Sequence, residues 1–153
     1  PIESKFSLKS FFSKIFLVHT GIQRKASNVE AKKFKGGYSN NCHLNTICDI
    51  AFEASNLFKN SKSDDFFGKL MHETWLAKKK IHKIVSNKQI DNLYQKAIES
   101  GSSGGKLLGA GAGGFVLFYV DNHKREKFIK AFKNYPYINI QTDFSGSRIV
   151  KLK

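Results

Sequence analysis

Residues 104–119 read G-G-K-L-L-G-A-G-A-G-G-F-V-L-F-Y, a glycine-rich loop that empties into an unbroken apolar run. Gly109, Gly111, Gly113 and Gly114 alternate with Ala110 and Ala112, so nearly every backbone N–H of the loop can be approached without side-chain obstruction. An anion, or a second stretch of backbone, needs that access. The aromatic and β-branched run from Phe115 to Val120 predicts a strand, and Ile90 to Ser100 before the loop is helical in pattern. This order excludes two commoner glycine motifs. Gly109, Gly111 and Gly114 satisfy G-x-G-x-x-G, but the dinucleotide fingerprint follows a strand and opens a helix. Gly105-Lys106 suggests a P-loop, yet Leu107 stands where Ser or Thr is required and Ser100 where the leading Gly should be. Two readings remain: a tight helix-to-strand connection whose glycines serve turn geometry, or a backbone cradle for phosphate.

Upstream, Lys14 to Thr20 is apolar on both faces, the pattern of an interior strand, and Gly21 stops it. A polar stretch from Ile22 to Ser39 carries a Gly36-Gly37 break and a short helix start at Asn28-Val29-Glu30. Leu44, Ile47, Ala51, Ala54 and Phe58 then recur at helical spacing from Asn41 to about Lys59. Ser63 or Asp64 caps a second helix, whose stripe is Phe66, Phe67, Leu70, Thr74, Ala77, Ile81 and Val85. Ile90, Leu93, Tyr94 and Ala97 mark a third, closing at Gly101; a fourth holds Phe128, Ile129 and Phe132. Two short strands, Tyr137 to Gln141 and Ser147 to Leu152, finish the chain.

A chain of 153 residues with 41% hydrophobic content and 14 Phe can bury one real core. Neither a membrane-length apolar run nor a signal peptide is present in this sequence, so a soluble, cytoplasmic protein is expected. Cys42 and Cys48 share a predicted helix at a spacing that suits neither a zinc knuckle nor a disulfide, and buried thiols are expected. The net charge of +14 attracts phosphates of any kind, but its lysines are scattered along helix faces. No H-E-x-x-H or other metal set occurs, since His72-Glu73 is followed by Leu76 where a second His would stand.

Four strands with a helix crossing between strand pairs predict an α+β, ferredoxin-like open antiparallel sheet, its helices on one face, with a large helical insertion. Thr20-Gly21-Ile22-Gln23-Arg24-Lys25-Ala26, then His72-Glu73-Thr74-Trp75, then Gly104 to Gly111, then Gly146 to Val150 occur in this order. In combination they resemble the carboxy-terminal domain of the galactokinase, homoserine kinase, mevalonate kinase and phosphomevalonate kinase (GHMP) superfamily, nearest its heptose 7-phosphate kinase-like branch. The glycine loop resembles that family's third motif, K-L-T-G-A-G-G-G-G, with Leu108 for the Thr and Ala112 for a Gly. The resemblance covers nearly all of residues 1–153 and implies ATP-dependent phosphorylation of a sugar or sugar phosphate. It also implies an amino-terminal domain carrying the nucleotide loop, P-x-x-x-G-L-G-S-S-A, and the catalytic acid. Neither is found here, so no catalytic residue is assigned to this chain, and it is expected to be inactive alone.

The resemblance makes Gly109, Ala110, Gly111, Ala112 and Gly113 support for the missing phosphate loop. It makes Thr20, Arg24, His72, Trp75 and Lys106 candidate substrate contacts. ATP and Mg are the implied cofactors, with Mg held by the nucleotide and the other domain. Trp75 and Met71 lie off the helical stripe of Leu70, Thr74 and Ile81, so Trp75 reads either as a platform facing the cleft or as a satellite core. Arg24 is a bidentate phosphate anchor or a solvated loop residue. An apolar seam around Trp75, Met71 and the loop is expected to drive homo-oligomerisation. Replacing Gly111 by Val is expected to slow a full-length kinase while sparing its folding.

A second reading is an RNA-binding module of ferredoxin-like fold, because Gly114 to Phe118 overlaps the end of an RNA-recognition signature. Gly113 and Gly111, however, hold the positions of its stacking aromatic and its basic residue, and nucleic acid is not the expected partner. A third is a non-catalytic scaffold derived from the kinase half-fold.

Overall fold

The computed structural model describes residues 6–23, 41–81 and 83–140. The elements in chain order are α1 (Leu8–Ser13), β1 (Ile15–His19), α2 (Asn41–Asn60), α3 (Phe66–Ile81), a 3-10 turn (Lys83–Val85), α4 (Lys88–Glu99), β2 (Ser102–Leu107), β3 (Phe115–Val120), a second 3-10 turn (Asn122–Lys124), α5 (Arg125–Ala131) and β4 (Tyr137–Asn139). Side-chain caps start two of the helices: Ser7 Oγ accepts from Ser10 N at α1, and Asn87 Oδ1 accepts from Ile90 N at 3.0 Å at α4. The strands form one antiparallel sheet in the order β2-β3-β1-β4, so the β-α-β-β-α-β connectivity is ferredoxin-like, with α2 and α3 as the insertion before α4.

One of the four strands differs from the sequence expectation. Ser102–Leu107, S-S-G-G-K-L, is a strand although serine and glycine are poor strand formers. The reason is steric. Gly68 of α3 crosses Gly104 of β2 so closely that a Cβ on Gly104 would run into the Gly68 carbonyl oxygen, and a Cβ on Gly68 into Ser103 Oγ. Only residues without side chains admit that crossing, which lays a helix along a sheet edge that would otherwise be open. The strand expected at 147–152, the helix start at 28–30 and the G-S-R-I-V ending all lie outside the described residues.

Side-chain alternation splits the sheet into two packed faces. Phe16, Val18, Val116, Phe118 and Val120 point toward Trp75 of α3, Ile90, Leu93, Tyr94 and Ala97 of α4, and Phe128 of α5 with Phe132. Each fully buried Phe here contributes about 1.5–3 kcal/mol of transfer free energy. Ile15, Leu117 and Tyr119 point the other way, onto Phe6, Phe11, Phe12, Phe58 and Phe67. The expectation of helices on one face alone is therefore corrected: α1 and the ends of α2 and α3 cover the second face with an aromatic cluster, Phe11 lying 4.8 Å from Phe67 and 5.3 Å from Phe58. At its margin Lys14 Nζ donates to Asp64 Oδ1 at 2.6 Å, an almost fully buried ion pair. Burial, and then the neighbouring Asp64 charge, raises the Tyr119 hydroxyl above its ordinary value and keeps it protonated. Cys42 and Cys48 are exposed free thiols rather than buried ones, because α2 turns that side to solvent.

The helix-to-edge crossing yields a direct expectation. Gly104→Ala should lower the unfolding free energy by about 2–3 kcal/mol, measured by urea denaturation, because the clash is with backbone that cannot rotate away. Gly109→Ala, at a position with nothing within 4 Å of an added Cβ, should cost only about 1 kcal/mol from its φ of +67°.

Candidate functional site

Residues 108–114 connect β2 to β3, so the glycine loop is a strand-to-strand hairpin connection and not a helix-to-strand one. Leu108 N donates to Phe115 O at 2.9 Å across its neck. Three other parts of the chain brace it. Ala112 N donates to Val85 O in the 3-10 turn at 2.8 Å, Gly114 N donates to Ile22 O at 3.0 Å, and Lys78 Nζ at the end of α3 donates to Gly109 O at 2.8 Å. With those amides engaged, the N–H groups of Gly109, Ala110, Gly111 and Gly113 have no acceptor among the described residues. Four such donors in one loop can meet an anion.

The loop carries strain. Ala112 has φ +62°, the only positive-φ residue other than glycine among those described, and it is buried. A left-handed alanine costs about 1–2 kcal/mol, held here by the bond to Val85. Gly111, at φ +106°, lies so close to Val85 that an added Cβ would sit 2.9 Å from both Cα and Cβ of that residue. The expectation that Gly111→Val spares folding is therefore corrected.

The residues singled out as substrate contacts meet different fates. Thr20 is buried, and its hydroxyl donates to Gly114 O at 2.9 Å and accepts from Ile22 N at 3.2 Å, so it acts as a brace tying the end of β1 to the loop. Gln89 Nε2 donates to Thr20 O at 3.1 Å and adds α4 to the same junction. Trp75 is wholly buried beside Tyr94, which overturns the platform facing the cleft; α3 is packed against both β2 and α2, so its inner surface is wider than one stripe. Met71 is buried for the same reason, which removes both side chains from the expected oligomer seam.

His72 lies on α3 with Nδ1 2.7 Å from Tyr94 Oη, and its ring stacks on that of Tyr94. Tyr94 Oη also lies 3.1 Å from both N and O of Gly105, so His72 is engaged inside the domain at the root of the hairpin. Lys106, half-buried on β2 and paired in register with Leu117, stands two residues before the loop begins. Arg24 lies outside the described residues. Lys78, Val85 and Gln89 carried no motif: Lys78 reads as one of three consecutive helix-face lysines, and only the fold picks it out.

Val116 and Phe118 are fully buried, while Phe115 and Leu117 are half-buried. The strand thus presents none of the open aromatic faces on which bases stack, which removes the ground for the RNA-binding reading.

Two measurements check this geometry. Ala112→Gly should stabilise the chain by about 1 kcal/mol and Gly111→Val should destabilise it by at least about 2 kcal/mol, both read by thermal melting. Burial pushes the Tyr94 hydroxyl from 10.0 up to about 12, against a smaller lowering by its hydrogen bond to Gly105. The unfolded chain thus loses this proton first, so the Tyr94 contribution to stability is complete below about pH 10 and is lost as pH rises toward 12. Tyrosinate absorbance in the wild type and in Tyr94→Phe reads that late ionisation.

Comparison with known proteins places this architecture. The profile of the family described as GHMP kinases C terminal matches residues 57–138. The D-glycero-alpha-D-manno-heptose 7-phosphate kinase of Campylobacter jejuni is 35% identical over 119 residues, which are 76% of this chain and 35% of that protein. The chain thus spans about a third of that relative's length. A candidate sugar kinase from Campylobacter jejuni superimposes with TM-score 0.53 at 29% identity, covering 86% of this chain and 37% of that one. The mevalonate kinase of Methanococcus jannaschii, at 23% identity, shares the fold with TM-score 0.69 over 86% of this chain and 40% of its own. With more than half of its length matched by the family and a relative of this identity over three quarters of it, the chain belongs to the GHMP kinase C-terminal family.

Proposed function

We propose that this chain is the carboxy-terminal half of an ATP-dependent kinase of phosphorylated sugars, similar to the heptose 7-phosphate kinase it resembles. The observation that carries the proposal is the braced loop of residues 108–114, whose amides at Gly109, Ala110, Gly111 and Gly113 are left for an anion. Phosphoryl transfer is mainly positioning and charge stabilisation, and preorganised N–H groups supply the second without any reorganisation. ATP supplies the phosphoryl group when bound, and the loop's free amides suit its charge. Mg would arrive with the nucleotide, held by its phosphates and the other domain. In this reading the nucleotide loop and the acid–base residue belong to an amino-terminal domain. The chain's own contribution is the braced loop, held by Thr20, Val85 and Lys78.

The test uses Gly109→Asn in the intact protein, with ATP and heptose 7-phosphate as substrates. Asparagine tolerates the left-handed conformation, and an added Cβ there meets nothing within 4 Å, so the fold is preserved. Turnover should fall by at least about tenfold, which corresponds to about 1.4 kcal/mol of lost transition-state stabilisation, with the melting temperature nearly unchanged. Unchanged turnover would reduce the loop to turn geometry.

A further inference from the structure

Beside the braced loop, a cleft of about 570 Å³ runs along α4, within the size range of small-molecule sites. Thr20 and Gln89 close one end, where the loop junction lies. Lys88, Asn92 and Lys96, four residues apart on one face of α4, form a wall, and Tyr135 lines the cleft with them. Lys88 and Lys96 are therefore separated by about 12 Å along the helix axis. Among the described residues, no carboxylate lines this cleft. The acidic groups of α4 are engaged elsewhere: Asp91 accepts from Lys79 Nζ at 3.1 Å and Ser86 Oγ at 2.9 Å, and Glu99 accepts from Gln95 Nε2 at 3.0 Å.

Lys96 is held in an unusual way. Its ammonium lies 4.7 Å from the centroid of the Tyr135 ring and 5.4 Å from that of Phe132. Aromatic faces position a cation without cancelling its charge, unlike a carboxylate. The result is a half-buried, preorganised cation at a cleft where the described residues place no counter-charge, with a tyrosine beside it and Asn92 one turn away. Such a set suits a phosphate monoester.

We infer that this cleft is the subsite for the distal phosphate of a phosphorylated sugar, with Lys96 as its anchor and the sugar's reacting hydroxyl lying toward the loop at the Thr20 end. The inference rests on the kinase reading for the direction of the sugar. The phosphate site itself does not depend on it.

Calorimetric titration of the intact protein with a heptose 7-phosphate, and with the same heptose lacking phosphate, tests the assignment. The phosphorylated sugar should bind at least about tenfold tighter. Lys96→Gln should reduce that preference to under about threefold, and Lys96→Arg should retain most of it. Asn92→Asp, an exposed change that puts a negative charge into the cleft, should reduce the preference without touching Lys96. Lys133→Gln, which removes an exposed cation that does not line the cleft, should leave it intact and so controls for the net charge of +14. ATP affinity should be the same in wild type and Lys96→Gln. The inference is overturned if the wild type shows no preference, if the preference survives both Lys96→Gln and Asn92→Asp, or if Lys96→Gln weakens ATP instead. Turnover separates the two readings: a protein that phosphorylates the sugar without the preference keeps the kinase and loses the subsite. One that binds the sugar phosphate through Lys96 but transfers nothing keeps the subsite and loses the kinase.

Discussion

Gly68 of α3 lies against Gly104 of β2 with no side chain between them, and much of the domain follows from that distance. Because the helix comes so near the edge of the sheet, one side of it drops Trp75 into the main core while Phe67 reaches the aromatic cluster on the other face. A larger residue at either glycine would lift α3 and open both. The far end of α3 supplies Lys78 and leads into the turn that carries Val85, two of the partners that shape the hairpin loop.

The loop combines rigidity with local strain. Its backbone is tied to the end of β1, to the turn before α4 and to the last turn of α3, so a left-handed alanine at 112 persists because its surroundings over-determine it. An anion arriving at the remaining amides would meet backbone that is already held in place. That arrangement is worth more in a closed site than the same groups on a flexible loop.

What could be read from the amino acids followed the strength of each local signal. The strands at 15–19 and 115–120 are dense in aromatic and branched residues, and α4 has one clean stripe, so all three were legible. The glycine motif, together with Thr20-Gly21 and the His72-Glu73-Thr74-Trp75 helix, was enough to indicate the family. β2 was not legible, since its glycines answer to a helix crossing made by a residue 36 positions earlier in the chain. Trp75 was misplaced because a stripe argument assumes one buried face, whereas α3 has two. At the site, motifs named the loop but not its braces. Val85 and Lys78 act through a carbonyl and an unremarkable lysine, and Thr20 turned out to hold the loop with the hydroxyl expected to meet substrate.

The pairing of β1 with β3 joins His19 to Phe115 and Ile15 to Tyr119, partners roughly a hundred residues apart. The β2–β3 hairpin and the α2–α3 pair are local and can form early, but the sheet's centre requires closing a very long chain segment, whose entropy is repaid only when the two central strands meet. Thr20 and Ile22, at the end of β1, reach Gly114 only after that closure. Kinetically, then, the hairpin loop acquires its final shape only after that closure, and a partly folded chain with intact helices would still lack the braced loop.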